Sequence, residues 1–240
     1  MFKIFIVEWN RPDVWEQCAV SWKQNAKNPD NVQVFYVDNH SPDPDMEVKL
    51  SALKEKGMIH EFKVSSEHLS PATARNIFWL KEMPDSNPED IFVKADGNIE
   101  ALPGWDEDVL KEFEKMPKMD SMTVGENEKI TIDHCHHRAY RVIFARHPVV
   151  KEFGGFRCYE PETGVKWGCD DIDWARVSLK TQYWSRPLKC FKHHARPNEL
   201  KNKIIERFRG SSDLRVRAIR VAMNGYKKGK YYIGEWKCTG

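Results

Sequence analysis

Oxygen-bearing side chains end a short apolar run in residues 91–98, where Asp96 and Asn98 flank Gly97. Carboxylate and amide oxygens are ligands of hard cations such as Mg²⁺. In open α/β sheets, phosphates and their cations bind beyond the carboxyl ends of the strands. On an extended backbone Asp96 and Asn98 would face the same way, because they are two residues apart. Asp, Gly and Asn also favour plain surface turns, so the triplet alone does not define a site.

Two other apolar runs end in polar clusters of the same kind. Residues 3–7 form a predicted strand that stops at Glu8, Asn10 and Arg11, and residues 32–37 form one that stops at Asp38. The carboxyl ends of parallel strands meet at one edge of a sheet, so we expect the three clusters to lie together. Their agreement favours a functional site over three unrelated turns.

Strands and helices alternate along the first hundred residues, which predicts an α/β sheet with helices on both faces. Further predicted elements follow, and residues 198–240 are expected to form a basic helical extension packed on a domain of residues 1–197. The predicted strands are 3–7, 32–37, 59–64, 91–95, 141–145 and 183–191; the predicted helices are 13–27 with Asp13 as its cap, a helix ending near 56, 71–83, 147–153, one beginning near 170, 198–208 and 213–224.

The composition indicates one large domain with an appendage. The chain has 240 residues, of which 40% are hydrophobic and nine are Trp. It contains no apolar run of about 20 residues and no signal peptide, so no membrane span is expected. Its six cysteines form no Cys-x-x-Cys pair, which favours reduced thiols and a cytoplasmic location. Nucleotide-triphosphate hydrolysis and dinucleotide chemistry are disfavoured, because the chain has neither a P-loop nor a Gly-x-Gly-x-x-Gly motif.

Positive charge is concentrated at the C-terminal end. The formal net charge is +2, but residues 186–240 hold 15 Lys and Arg against 4 Asp and Glu. This asymmetry indicates an anionic partner, either nucleic acid or a membrane surface, although a solvated basic helix face has the same composition. No protein partner is evident. The arginines that would make such contacts are Arg207, Arg209, Arg215, Arg217 and Arg220.

The segment Asp133-His134-Cys135-His136-His137 has the residue types of a metal site but the wrong spacing. Adjacent residues on a strand point to opposite faces, so they cannot all bind one ion. We therefore expect these side chains to be loop polars or to line an acceptor surface.

Six short motifs follow one another along residues 3–200: Asn10-Arg11-Pro12, Asp38-Asn39-His40-Ser41, Ala74-Arg75-Asn76, Asp96-Gly97-Asn98 with Leu102-Pro103-Gly104-Trp105, Gly154-Gly155-Phe156, and Trp167-Gly168-Cys169-Asp170-Asp171. In this order they resemble a family-2-type glycosyltransferase of the GT-A fold. The resemblance implies a mixed, mostly parallel sheet flanked by helices. The chain departs from the family pattern at Asn98, which replaces an acid, and at Asp170, which replaces a glutamate.

The resemblance also implies roles for individual residues. Asp38 would lie by the nucleotide base, Arg75 by the base or diphosphate, and Asp96 with Asn98 at the ribose, the cation and the diphosphate. Asp171, or else Asp170, would be the general base, and His194 or His193 would complete the shell of a Mn²⁺ or Mg²⁺ ion. The implied contacts to the nucleotide sugar, expected to be a UDP-sugar, are Glu8, Asn10, Arg11, Asp38, Arg75, Asp96 and Trp167.

Such a set suits transfer of a sugar to a hydroxyl group. A cation and nearby positive groups stabilise the leaving diphosphate, and one carboxylate takes the proton of the attacking hydroxyl. A single base opposite the leaving group implies single displacement with inversion, because retention by double displacement requires a second carboxylate as nucleophile.

The acceptor is open between two alternatives. The basic C-terminal residues suit phosphate contacts to DNA, with a hydroxymethylated base as acceptor, which requires flipping that base from the duplex. They equally suit a membrane surface, where the acceptor would be a glycan or lipopolysaccharide. A third hypothesis is a non-catalytic nucleic-acid-binding protein on a transferase scaffold.

Overall fold

The computed structural model describes residues 1–124, 129–132, 135–138, 141–156, 174, 183–186 and 190–194. Within them the chain forms strands that alternate with helices through most of the first half. The strands are β1 (Phe2–Glu8), β2 (Val32–Asp38), β3 (Glu61–Val64), β4 (Ile91–Asp96), β5 (Ile99–Ala101), β6 (Ser121–Val124), β7 (Lys129–Ile132), β8 (Cys135–Arg138), β9 (Val142–Arg146), β10 (Tyr183–Arg186) and β11 (Phe191–His193).

Five α-helices and one short 3₁₀ turn connect the described strands. Pro71 at the start of α3 and Pro148 at the start of α5 occupy first-turn positions where a missing N–H costs nothing. Ser70 caps α3 by accepting a hydrogen bond from Thr73 N. The helices are α1 (Trp15–Gln24), α2 (Met46–Glu55), α3 (Pro71–Glu82), α4 (Trp105–Lys115) and α5 (His147–Phe153), and the 3₁₀ turn is Pro29–Asn31.

A seven-stranded sheet in the order β10-β6-β9-β4-β1-β2-β3 forms the centre of the molecule. Strand β1 pairs in parallel with β2 and β4, β2 with β3, and β10 with β6, whereas β9 runs antiparallel between β4 and β6. Two small antiparallel pairs, β5 with β11 and β7 with β8, stand apart from this sheet. The predicted mixed, mostly parallel sheet with flanking helices is thereby confirmed.

Apolar residues cover both faces of the large sheet. One cluster packs α1, α2 and α4 against side chains such as Ile4, Ile6 and Tyr36. The other packs α3 and α5 against Phe5 and Phe92, which alternate with the first set along their strands. Burying each large side chain contributes roughly 1.5–3 kcal/mol, so the two layers hold the strand ends rigidly. The tryptophans that are fully buried in these clusters are Trp22, Trp79, Trp105 and Trp174.

One prediction about strand extent and one about helix capping were wrong. Residues 183–191 do not form one strand: β10 joins the large sheet, whereas β11 pairs with β5 in a separate one. Asp13 does not cap α1, which starts at Trp15 without a side-chain cap. Instead both Asp13 oxygens accept hydrogen bonds from Arg11, at 3.1 and 3.2 Å, because the guanidinium is a stronger donor than a helix N–H.

Within the described part of the chain, no helix has both the length and the apolar character needed to cross a membrane. Cys18 and Cys190 are free thiols buried in the core. Burial, followed by the charge of Glu100 for Cys18 and of Asp108 for Cys190, raises the pKa of each thiol to about 12. Both match the predicted reduced state. The predicted extension, residues 198–240, and the domain boundary before it lie outside the described residues.

Candidate functional site

Three polar strand ends meet at one edge of the large sheet, as predicted. The parallel register aligns Glu8 with Asp38 across β1 and β2, and Val7 with Asp96 across β1 and β4. Strand order reverses here, because β1 is followed in sequence by β2 on one side and lies next to β4 on the other. In α/β sheets such a reversal opens a crevice at the carboxyl ends of the strands, where ligands bind.

Hydrogen bonds between neighbouring loops hold the rim of this crevice. Asn10 N donates to Ser41 Oγ at 2.8 Å, and Asn39 N donates to Glu8 O at 2.8 Å. The Asn39 side chain bonds Leu69 in both directions, at 2.9 Å each, and so joins the loop before α3. Two non-glycine residues, Asn10 and His40, have positive φ angles of 52° and 67°. Such conformations cost free energy and concentrate at ligand-binding rims.

Asp38 is buried beneath this rim with one carboxylate oxygen unpaired. Its side chain is 1% exposed, and Oδ2 accepts from Ser41 N at 3.1 Å. Oδ1 has no hydrogen-bond partner among the described residues. An unpaired buried carboxylate oxygen is costly, and a ligand N–H directed at it would recover that cost.

A cavity of about 190 Å³ opens between the loops that follow β1 and β2. Tyr36 lines it with a hydroxyl that has no partner among the described residues. Burial, aided by the charges of Glu8 and Asp38, raises the Tyr36 pKa well above its ordinary value, so the phenol stays protonated and available as a donor. The polar residues lining the cavity are Glu8, Asn10, Arg11, Tyr36, Ser41 and Asp43.

Asp96 ends β4 in contact with two cations. Its Oδ1 accepts a hydrogen bond from Lys94 Nζ at 2.7 Å, and its Oδ2 lies 3.7 Å from Arg141 Nη1. Lys94 is buried, with 1% of its side chain exposed, whereas 27% of Asp96 is exposed. The carboxylate is therefore partly exposed at the strand end, with a buried ammonium beside it. Neither Lys94 nor Arg141 was predicted; a lysine within the apolar run of β4 is the signal that sequence inspection missed.

Gly97 and Asn98 form a two-residue turn between β4 and β5, so the expected extended geometry of residues 96–98 was wrong. The Asn98 amide nitrogen donates to the carbonyl oxygen of His194 at 3.1 Å and contacts His193 Nε2 at 2.9 Å. Because a carbonyl oxygen only accepts, the amide nitrogen must be the atom facing His194. Asn98 thus joins the turn to the end of β11.

His194 is engaged by Glu100, another residue that was not predicted. Its Nε2 lies 2.7 Å from Glu100 Oε2, and Lys192 Nζ lies 3.3 Å from the same oxygen. Burial raises the Glu100 pKa, but hydrogen bonds from His194, Gln17 and Lys192 outweigh it, so the pKa lies below its ordinary value. The carboxylate stays ionised and orients the imidazole.

The predicted arginines Arg75 and Arg11 both donate hydrogen bonds to backbone carbonyl oxygens near the strand ends. The Arg75 guanidinium is buried and donates to the carbonyl oxygens of Phe5 and Ala95, the latter at 3.2 Å, which bridges β1 to β4. Arg11 is also buried and donates to the His194 carbonyl oxygen at 3.1 Å. Arg75 therefore bridges two strands, whereas Arg11 both bonds the end of β11 and lines the cavity. The predicted residues Asp170, Asp171, Trp167, Arg207, Arg209, Arg215, Arg217 and Arg220 lie outside the described residues.

The predicted metal ligands are of two kinds: histidine nitrogens that already have side-chain partners, and side-chain oxygens of Asp96 and Asn98. Within the described residues, no three His, Cys, Asp or Glu side chains converge on a point where they could share an ion. His193 and His194 direct Nε2 at Asn98 and Glu100, respectively, whereas the Asp96 carboxylate and the Asn98 amide oxygen are the hard ligands at the crevice. This set fits a Mg²⁺- or Mn²⁺-type ion that takes its remaining ligands from phosphate and water.

Gly97 has no room for a side chain, which gives the first prediction. A Cβ at this position would overlap the Cβ and Oε2 of Glu8 and lie 2.8 Å from its Cγ. We expect Gly97→Ala to destabilise the fold by about 2 kcal/mol and to displace Glu8 from the crevice. Gly57→Ala is the control, because Gly57 has φ +69° and open space around it. It should cost about 1 kcal/mol and leave ligand binding intact. Chemical denaturation measures the change in the free energy of unfolding for both variants. If Gly97→Ala and Gly57→Ala changed ligand binding equally, the prediction would be contradicted.

Restoring the family's acid at position 98 is expected to harm this protein. In the wild type the Asn98 amide nitrogen donates to the His194 carbonyl oxygen at 3.1 Å. In Asn98→Asp a carboxylate oxygen would face that carbonyl oxygen instead. We expect a loss of about 2 kcal/mol in the free energy of unfolding. Asn87→Asp is the matched control: Asn87 is exposed and uses its oxygen to accept from Glu89 N, a role that aspartate retains. A variant Asn98→Asp as stable as wild type would show that the amide nitrogen is dispensable.

Solved structures with this architecture include glycosyltransferases with low sequence identity. Staphylococcus aureus TarS superimposes with a TM-score of 0.58 and 12% identity over 95% of this chain and 43% of TarS. TarS 1–349 in complex with UDP gives 0.59 and 12% over 88% and 66%. A Pyrobaculum calidifontis mannosyltransferase, PcManGT, in complex with GDP-Man and Mn²⁺ gives 0.53 and 14% over 78% and 54%.

These similarities define the fold. The chain has the GT-A fold, as the sequence resemblance implied, and it spans less than two thirds of each of these neighbours. No protein-family model matches the sequence, and neither does any curated protein.

Proposed function

We propose that the protein is a glycosyltransferase that moves a sugar from a nucleoside diphosphate sugar to an acceptor hydroxyl. The observation that supports this most is the convergence of Glu8, Asp38 and Asp96 at the strand-order reversal of a GT-A sheet. GT-A neighbours were solved with UDP, with UDP-GlcNAc and with GDP-Man plus Mn²⁺ at low identity, which supports a nucleotide-sugar donor.

Asp38 and the adjoining cavity are proposed to receive the nucleobase. Asp38 Oδ1, buried and unpaired among the described residues, accepts an N–H of the kind that uracil presents. Tyr36 and Asn10 add a hydroxyl and an amide at the cavity wall. We expect a uridine nucleotide as the donor, because uracil has one ring N–H and Asp38 Oδ1 can accept a hydrogen bond from it.

Asp96 and Asn98 are proposed to hold a divalent cation, Mn²⁺ or Mg²⁺, together with the diphosphate. When bound, such an ion stabilises the negative charge that develops on the leaving diphosphate. Lys94 keeps the Asp96 carboxylate in place, and Arg141 adds positive charge beside it. Glu100 holds the His194 ring at the end of the β5–β11 pair, and Asn98 lies in the turn that precedes β5.

Asp171, or else Asp170, is proposed as the general base. It takes the proton of the acceptor hydroxyl while the acceptor oxygen bonds to the anomeric carbon and the bond to the diphosphate breaks. With one base opposite the leaving group, the anomeric configuration inverts. The acceptor hydroxyl is proposed to belong to DNA, for example a hydroxymethylated base, or else to a glycan or lipopolysaccharide, because the C-terminal residues are strongly basic.

The test uses the full chain with a panel of nucleotide sugars and Mn²⁺, and follows release of the nucleoside diphosphate with hydroxymethylated DNA, a glycan or no acceptor. Asp171→Asn should abolish turnover but retain donor binding, whereas Asp30→Ala, at an exposed residue far from the strand ends, should match wild type. Absence of binding to every nucleotide sugar would refute the proposal. Salt-dependent DNA binding without turnover, weakened by charge reversal at Arg215, Arg217 and Arg220, would instead favour a non-catalytic DNA-binding protein.

A further inference from the structure

A lysine is buried in the middle of the large sheet at the point where the strand ends meet. Lys94 belongs to β4, and 1% of its side chain is exposed. Removing an ammonium from water is costly unless a counter-charge receives it. Asp96 Oδ1 at 2.7 Å is such a counter-charge. The lysine is therefore held in place by the same carboxylate that faces the crevice.

The same sheet contains a second buried lysine that serves as a comparison. Lys3 of β1 is 9% exposed, and its Nζ lies 2.8 Å from Glu82 Oε2. Lys3 stands at the amino end of its strand, aligned with Phe92 of β4, whereas Lys94 is aligned with Phe5 nearer the carboxyl ends. The two lysines thus lie two residue positions apart along the β1–β4 register, and of the two ion pairs the Lys94 pair is nearer the proposed donor site.

The two cations beside Asp96 favour a phosphate. Lys94 lies 2.7 Å from one carboxylate oxygen, and Arg141 lies 3.7 Å from the other. The second oxygen ligand of the turn is the neutral amide of Asn98, and Glu8 also adjoins the turn, because its Oε2 would overlap a Cβ on the glycine of that turn. These five side chains therefore carry two positive and two negative charges. Asp96 alone would repel a diphosphate, but the two cations beside it compensate that repulsion.

We propose that Lys94 is the built-in cation of the donor site, a positioning residue that holds Asp96 and compensates its charge so that the nucleotide diphosphate binds without a divalent ion. This inference rests on the proposed nucleotide-sugar function and concerns the binding step. A divalent ion then strengthens a complex that the protein's own cations have already formed.

The experiment measures UDP affinity by isothermal titration calorimetry, with either Mn²⁺ or EDTA, for the full chain and its variants. Wild type should bind UDP in EDTA within about tenfold of its affinity in Mn²⁺. Lys94→Met should lose at least about thirtyfold more affinity in EDTA than in Mn²⁺. Lys3→Met removes an equally buried ion pair and should keep the wild-type ratio.

A second variant separates charge compensation from structural damage. Lys94→Met combined with Asp96→Asn removes the carboxylate that Lys94 compensates and leaves the positive charge of Arg141, so it should bind UDP in EDTA more tightly than Lys94→Met alone. Circular dichroism checks that each variant is folded. If wild type binds UDP only with Mn²⁺, or if Lys94→Met lowers affinity equally in both buffers, the inference is wrong while the proposed function stands. If UDP and every nucleotide sugar fail to bind in either buffer, the proposed function itself fails, and the inference with it.

Discussion

Replacing Asp96 by asparagine is expected to lower kcat/KM for sugar transfer about a thousandfold, equivalent to about 4 kcal/mol of transition-state stabilisation. In the proposed donor site the Asp96 carboxylate is the charged ligand of the cation, so its loss would remove the main hold on that cation beside the diphosphate. The asparagine oxygen can still accept from Lys94 Nζ, which keeps the geometry of β4.

Stability measurements distinguish this catalytic loss from unfolding. Asp96→Asn leaves the buried Lys94 ammonium without its carboxylate, so it should cost about 3 kcal/mol in the free energy of unfolding. Thermal unfolding and initial rates would be measured on the same preparation, with Asp30→Ala as the carboxylate control. Near-normal turnover by a folded Asp96→Asn protein would remove Asp96 from the donor site.

Replacing Arg75 by alanine is expected to destabilise the protein by about 3 kcal/mol. The buried guanidinium donates to the carbonyl oxygens of Phe5 and Ala95, so its removal leaves carbonyl groups of β1 and β4 without that donor. The family resemblance implies a contact with the base or diphosphate instead, and the two roles have different consequences. A ligand-contacting arginine would chiefly change donor affinity, whereas a clamp between strands would chiefly change stability.

Lys81→Ala is the matched control for Arg75→Ala, because Lys81 lies on the same helix. Its side chain is 58% exposed and pairs with Glu61 at 3.2 Å on the surface. Surface pairs of this kind contribute between zero and about 1 kcal/mol. Urea denaturation of the two variants would measure the difference, and calorimetry with UDP would report donor affinity. An Arg75→Ala protein with wild-type stability and lost UDP affinity would assign Arg75 to the ligand.

The strand ends could be predicted because local signals agree there. Alternating apolar residues followed by Asp or Glu and a turn residue locate β1, β2 and β4, and the rule for parallel sheets then brings Glu8, Asp38 and Asp96 together. These inferences use segments of fewer than ten residues. The pairing partners of each strand, by contrast, depend on contacts across the whole chain.

The roles of Lys94, Asn98 and Arg75 depend on such distant contacts. The antiparallel strand β9 places Arg141 beside Asp96, and the pairing of β5 with β11 brings His193 and His194 to Asn98. Pro187 directly follows β10, and because proline lacks the N–H that a ladder needs, it is the local signal for the break that the prediction of one strand over 183–191 missed. The sequence therefore located the polar end of β4 but not the turn at Gly97–Asn98 or the contacts that hold its side chains.

The carbonyl oxygen of His194 receives hydrogen bonds from both Asn98 and Arg11. The chain is thus fastened to the rim of the crevice at the last residue of β11 and its neighbour, and the basic residues that follow continue from that point. If the C-terminal residues bind a polyanion, as proposed, their covalent link to His194 would raise the effective concentration of that polyanion near the proposed sugar donor. Even a weakly held acceptor would then meet the donor far more often than its affinity in free solution suggests.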